Sequence, residues 1–462
     1  MKKSVITLFI LSVFYLLVGF SAVDKPGNIV HEKVLENGLK VLVKEDRRAP
    51  VMVSQVWYKV GSSYEYNGIT GLSHVLEHMM FQGTEQLKPG EFSKIIAANG
   101  GRENAFTGAD YTAYFQTMEA SRLEVSMKLE ADRMQHLKLQ EKEFVKERQV
   151  VMEERRMRTD DKPQAKAYEY FKAMAYVTTP YRNPIIGWME DLQSMKLTDL
   201  ADWYQRWYAP NNATLVVVGD VKAENVFSLA EKYFADIPEV PFETVREFKE
   251  VDQVGIRRGV VKQKAKLPYL LMGYHVPSLR TSVNDQDAYA LEVLSGILSG
   301  GNSARLPANL VRGEQVASEV SVGYDLNARL STLFLFDGVP AGEHSLGDLE
   351  KSVLDQLALL KKNRVTEQEL ARIKAQVIAA SVYEKDSNFY QAMQLGMLET
   401  VGVGWQKEQE YVAKVKAVTA EQLQKVAKKY FVEDHLTVVY MEPQALNSEK
   451  MVKQVGGSQH AN

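Results

Sequence analysis

Residues 197–219 run from Leu197-Thr198-Asp199-Leu200 through Trp207-Tyr208 to Thr214-Leu215-Val216-Val217-Val218, and they decide how the chain is built because the same plan returns near the C-terminus. There Val418-Thr419-Ala420-Glu421 leads to Tyr430-Phe431 and then to Leu436-Thr437-Val438-Val439-Tyr440, offset by 419 − 198 = 221 at the start and 437 − 214 = 223 at the strand. Each copy reads as a capped helix followed by a buried strand. A repeat of this length makes each half a domain of one design. The halves also begin alike, with apolar runs at Val41 to Val43, Val51 to Val60 and Leu270 to Val276 ahead of long helical segments, and with a hairpin signal at Asn37-Gly38. Strands before helices point to an α+β class with two homologous halves. The predicted boundaries are a signal peptide at 1–21, a first domain at 22–236, a linker at 237–252, where Pro238 and Pro241 break the periodic pattern, and a second domain at 253–462.

Composition narrows the function classes. The 462 residues are 45% hydrophobic and 25% charged, a globular balance, and the net charge is only -3 with both signs interspersed, so no nucleic-acid partner is expected. Lys2 and Lys3 precede an apolar run from Val5 to Phe20, and Gly19 with Ser21 forms a small-x-small pair. This predicts export, with cleavage after Ser21 or, nearly as well placed, Ala22, and no stable membrane insertion afterwards; the contrasting reading is an uncleaved anchor, for which the run is short. Because the chain has no cysteine, disulfides, a lipid-modified Cys and thiolate chemistry are all excluded, and any metal must be held by His and carboxylates.

Only 8 histidines occur, and two of them lie in Ser73-His74-Val75-Leu76-Glu77-His78-Met79. On a helix His74, Glu77 and His78 share one face while Leu72, Val75, Leu76 and Met79 turn inward. Two imidazoles one turn apart can chelate a zinc ion, with the carboxylate beside them placed to take a proton from a water. This is the His-x-x-Glu-His order of the inverzincins. A third ligand is sought in the helical run Glu143 to Arg155, where Glu147 and Glu154 lie two turns apart on one stripe and Glu153 points elsewhere. Periodicity alone does not choose among them.

With these motifs the chain resembles the pitrilysin and insulysin peptidases, most nearly the bacterial relatives of mitochondrial processing peptidase. The family pattern places the ligand Glu 76 residues after His-x-x-Glu-His, and here 154 − 78 = 76. The likeness continues through Phe81-Gln82-Gly83-Thr84, Asn99-Gly100-Gly101, Asn104-Ala105-Phe106-Thr107, Pro180-Tyr181-Arg182-Asn183-Pro184 and Pro210-Asn211-Asn212-Ala213-Thr214. It implies two homologous α/β-roll halves, with mixed or antiparallel sheets and helices, forming a clamshell around an unfolded peptide. It further implies one zinc ion on His74, His78 and Glu154, Glu77 as the base, Glu147 orienting a ligand histidine, and Asn104-Ala105 on a strand that pairs with substrate. Two His and a carboxylate would also accept cobalt or manganese.

The second half departs from members of that family that act alone. Those carry an Arg and, six or seven residues on, a Tyr that contact substrate; here Arg312 is followed at those distances by Ser318 and Glu319. The resemblance therefore implies a second family subunit supplying Arg and Tyr, or a homodimer, in the periplasm or outside the cell. The contrasting reading is a non-catalytic peptide-binding or assembly subunit that keeps a structural zinc; an intact Glu77 argues against it.

Overall fold

The computed structural model describes residues 29–242 and 247–444; the predicted signal peptide at 1–21 lies outside them. The first half runs β1 (Val30–Val34), β2 (Lys40–Glu45), β3 (Val51–Tyr58), α1 (Leu72–Met79), α2 (Glu91–Ala98), β4 (Arg102–Thr107) and β5 (Thr112–Glu119), then α3 (Leu123–His136), α4 (Glu141–Arg155), α5 (Pro163–Ala175), α6 (Met189–Ser194), α7 (Leu197–Trp207), β6 (Ala213–Gly219) and α8 (Ala223–Phe234). The second runs β7 (Arg257–Lys264), β8 (Tyr269–Val276), α9 (Asp285–Ser299), β9 (Ala317–Gly323) and β10 (Thr332–Pro340), then α10 (Leu346–Lys362), α11 (Glu367–Glu384), α12 (Asn388–Thr400), α13 (Lys407–Ala417), α14 (Ala420–Tyr430) and β11 (Leu436–Gln444). Among the described residues no helix is long and apolar enough to cross a membrane.

The duplication is visible strand by strand. One sheet has the order β1-β2-β6-β3-β5-β4 and the other β7-β11-β8-β10-β9, so with β1 set aside the two are the same sheet. In each, the last strand enters the middle and pairs parallel with the first, β6 with β2 and β11 with β7, while the remaining pairings are antiparallel. Both sheets are mixed. The central strands are apolar on both faces, which a sheet covered from both sides requires. In β6, Leu215 and Val217 join the core beneath α1, α3, α7 and α8, whereas Val216 and Val218 face the opposite way.

What covers that opposite face comes from the other half. Helix α5 of the first half lays Ala167, Phe171 and Ala175 on Leu271, Leu333, Val439 and Met441 of the second sheet. In return, α12 of the second half lays Ala392 and Leu395 on Leu42, Val53, Trp57, Val216 and Val218 of the first. Each contact is an aromatic ring seated on a glycine. A Cβ on Gly273 would stand 2.8 Å from Phe171 Cζ, and one on Gly396 would stand 2.1 Å from Trp57 Nε1. The halves thus share a core and cannot separate without baring a face of each sheet, which clarifies the clamshell expectation for a single chain: its two halves are interlocked.

A buried ion pair pins the same junction. Arg329 Nε lies 3.2 Å from Asp110 Oδ1, with side chains 7% and 6% exposed, and the Arg329 amide donates to Asp110 Oδ2 at 3.1 Å. Ser63 donates to the same carboxylate at 2.7 Å, as does the Tyr181 hydroxyl. Removing one member of such a pair leaves the other charge buried, so Arg329→Met is expected to lower the unfolding free energy by about 3–5 kcal/mol in a urea titration. A loss below about 1 kcal/mol would show that this junction does not hold the halves together.

Candidate metal centre

Two helices make the site. In α1 the residues Leu72, Val75, Leu76 and Met79 are buried in the first core, which turns His74, Glu77 and His78 to the other side. The helix is entered from Gly71, whose φ of 86° is left-handed, and its first turn is held by a carboxylate from outside. Glu65 accepts the amides of Gly71 and Ser73, each at 2.7 Å, and is only 3% exposed. Burial pushes its carboxyl up to about 7, against the pull of the two amides. A buried acceptor on the open amides of a helix start fixes both the position and the rotation of that helix.

Helix α4 packs against α1 and buries Phe144 and Val151, leaving Glu147 and Glu154 on the stripe that faces the histidines. Its end is anchored by Arg155, 1% exposed, which donates to Glu169 at 2.7 and 2.9 Å and to the Gly187 carbonyl at 2.7 Å. Glu154 is therefore held from behind.

The three side chains converge. Glu154 Oε1 lies 3.9 Å from His74 Nε2, and Glu154 Oε2 lies 3.5 Å from His78 Nε2. One ligand atom from each of the three lies within 4.8 Å of the other two. Ligands on a tetrahedral zinc ion sit roughly 3.4 Å apart, so this is the spacing that surrounds a divalent cation. Among the described residues no other His, Asp and Glu side chains gather in this way. The far nitrogen of His78 meets Glu147 Oε2 at 3.3 Å, the carboxylate–imidazole contact that orients a ligand ring. His74 has no such support, since its Nδ1 is buried without a partner. Burial, helped by the charges of His78 and Arg158, drives the His74 imidazole down to about 3, so it stays neutral with a lone pair free. Burial also opposes charge on His78, but the Glu147 contact and the neighbouring carboxylates outweigh it and hold that imidazole above its usual value. The donor set fits a borderline-soft divalent ion such as zinc.

Glu77 stands beside these groups and is not one of them. Thr107, the last residue of β4, donates its hydroxyl to Glu77 Oε2. Burial raises the Glu77 carboxyl, with the Thr107 hydrogen bond working the other way, so it is a stronger proton acceptor than a surface glutamate. Strand β4 lies at the edge of its sheet, pairing with β5 only, and carries Asn104 exposed and Ala105 half-buried. The base and an open strand edge are thus joined by one hydroxyl. Arg312 lies in the second half within Pro307–Gly313, where it is exposed.

Three neighbours escaped the sequence reading. Glu65 had no motif to mark it. Thr107 stood in a quoted stretch without a role. Arg158, whose guanidinium is 2.8 Å from Glu154 Oε1, was legible as the i+4 partner of that residue. The second half shows what the repeat has lost. The buried positions Val293, Leu294 and Ile297 of α9 match Val75, Leu76 and Met79 of α1 at 293 − 75 = 218, which sets Glu292, Ser295 and Gly296 at the places of His74, Glu77 and His78. A Cβ on Gly296 would lie 2.7 Å from Ile373 of α11, the contact that His78 makes with Glu147 in the first half.

The comparisons agree with this division. A family model described as Insulinase (Peptidase family M16) matches residues 40–188, and one described as Peptidase M16 inactive domain matches residues 194–377. The zinc protease PqqE of Helicobacter pylori is 35% identical over 420 residues, 89% of this chain and 93% of that protein. The probable mitochondrial-processing peptidase subunit beta of Arabidopsis thaliana is 24% identical over 421 residues, 88% of this chain and 77% of that protein. The crystal structure of a protease from Helicobacter pylori superimposes with a TM-score of 0.85 at 34% identity, spanning 90% of this chain and 100% of that one. The chain belongs to peptidase family M16, the insulinase family, and is a zinc metallopeptidase.

Proposed function

We propose that this chain hydrolyses unfolded peptides or protein segments outside the cytoplasm, with one zinc ion on His74, His78 and Glu154 and with Glu77 as general base and acid. The observation that carries the reading is the convergence of two Nε2 atoms and one carboxylate beside a fourth, raised carboxyl that touches none of them as a ligand. A structural zinc site has no use for that last group. Bound zinc would lower the pKa of a water and polarise the scissile carbonyl. Glu77 takes the proton of the attacking water at its carboxylate and returns it to the leaving amine, while Thr107 keeps the carboxylate in place. Glu147 fixes the His78 ring through Nδ1. The free edge of β4 holds the peptide as an added strand with Asn104 and Ala105 beside the cleaved bond.

Export rests on the Lys2-Lys3 start and the apolar run that follows it. The need for a partner rests on the second half, where Arg312 is exposed and the positions that would carry a Tyr hold Ser318 and Glu319, both exposed on β9. A second subunit of the same family supplying Arg and Tyr, or another copy of this chain, completes the substrate contacts.

Glu77→Gln is expected to keep zinc at the stoichiometry of the parent while cutting kcat for an unstructured peptide by roughly 10²–10⁴, and a chelator should stop the parent outright. Cleavage by the variant at the parental rate would remove Glu77 from its role. For the partner, the specific activity of the purified chain should fall on dilution into the monomeric range, followed by light scattering in parallel. Activity that is constant per chain through that range would show that the chain is complete alone.

A further inference from the structure

Arg158 lies four residues past Glu154 and touches the metal site without belonging to its donor set. Helix α4 does not stop at Arg155 but widens into a π-helical turn over Arg156–Asp160, in which the Asp161 amide reaches back to the Arg156 carbonyl at 2.8 Å. The turn is pinned on both sides. Arg155 is buried against Glu169, Asp160 meets Lys166 at 2.8 Å, and Arg156 takes Glu153. Between these anchors the Arg158 side chain stays 74% exposed, and the ion pair it makes among the described residues is with Glu154, at 2.8 Å.

That contact falls on one particular oxygen. Arg158 Nη1 is on Oε1 of Glu154, the oxygen 3.9 Å from His74 Nε2, whereas Oε2 is the one nearer to His78 Nε2, at 3.5 Å. A carboxylate giving both oxygens to a zinc ion takes two of its four positions, and two imidazoles take the rest, which leaves none for water. An oxygen that already accepts a charge-assisted hydrogen bond is a poorer ligand, and a positive charge beside a divalent ion opposes its binding as well. The charge of Arg158 reaches the whole cluster: after burial and His78 it is the next influence holding the His74 imidazole down, and on Glu77 it works with Thr107 and His78 against the rise that burial causes. Glu147 acts in the opposite sense, since a carboxylate on His78 Nδ1 makes that ring the better donor. The repeat treats Glu154 and Arg158 as a pair. With Ile373 at the place of Glu147, an offset of 373 − 147 = 226, Ala380 and Glu384 stand where Glu154 and Arg158 do, so the metal-free copy lacks the ligand and the cation together.

We infer that Arg158 reserves Oε1 of Glu154, so that Glu154 meets the metal through one oxygen and a position stays open for the attacking water. Arg158 is then a positioning residue that acts through Glu154. The role rests on zinc being held by His74, His78 and Glu154 as proposed above, and it is read first in binding. The zinc affinity of the full chain is measured by competition with a chromophoric chelator, and kcat and KM are measured on an unstructured peptide. Arg158→Met should bind zinc about three- to tenfold more tightly than the parent and should lower kcat with KM unchanged, a combination that a merely structural loss does not produce. Arg158→Lys, which keeps the charge without the planar fork, should lie between the two. The side chain is outside the core, so neither substitution threatens the fold. Zinc binding that is unchanged or weaker in Arg158→Met, or tighter binding with the parental kcat, overturns the role. His74→Ala tests the ligand set separately: if that variant holds zinc as tightly as the parent, the three-ligand reading fails, whereas loss of zinc leaves the reading standing whatever Arg158→Met does.

Discussion

One contact makes the chemistry of this chain, the packing of α1 across α4. Neither helix alone can build a metal site: α1 offers two imidazoles one turn apart and α4 offers two carboxylates two turns apart. Pressed together they bring His78 between Glu147 on one nitrogen and Glu154 on the other. A shift of either helix by part of a turn would unmake both contacts at once. The surroundings hold the two ends with buried polar side chains, Glu65 on the amides at the start of α1 and Arg155, through both terminal guanidinium nitrogens, on Glu169 at the end of α4.

The rest of the molecule divides the labour of its two copies. The first copy carries the ligands, while the second keeps the sheet, the helices and the crossing of α9 with α11 but has Gly296 and Ile373 where His78 and Glu147 stand. What the second copy gives is enclosure. Its α12 covers a sheet face that would otherwise be bare apolar surface, and α5 reciprocates, so the catalytic half is not a stable unit apart from its copy. A cavity lies where the halves meet, with Tyr168 and Lys172 of α5 and Met397 of α12 among its walls.

Much of this was legible in the sequence, for a reason that also marks where it stopped. The buried run at 214–218 and its copy at 436–440 announce two central strands, because only a strand covered on both sides is apolar at every position. The face shared by His74, Glu77 and His78 follows from helix periodicity. Periodicity says that a face is buried, however, and not against what. Ala167, Phe171 and Ala175 read as an apolar stripe, yet nothing local says that it rests on Gly273 of the other half. In the same way spacing put Glu147 and Glu154 on one stripe without choosing the ligand, and the choice of Glu154 came from family likeness; in the structure it is Glu154 that faces both Nε2 atoms and Glu147 that takes Nδ1. Asp110 acts through a contact 219 residues away, so no window of sequence could single it out, and Glu65, though only six and eight residues from the amides it accepts, belongs to no motif that marks it.

The account is tested most directly by zinc K-edge X-ray absorption on the purified chain. It predicts a single environment of two imidazole nitrogens and a carboxylate oxygen at about 2.0–2.2 Å, with further light-atom scattering from solvent. A spectrum with one imidazole or none, or one left unchanged when Glu154 is replaced by Gln, would contradict the convergence of α1 and α4 on one ion.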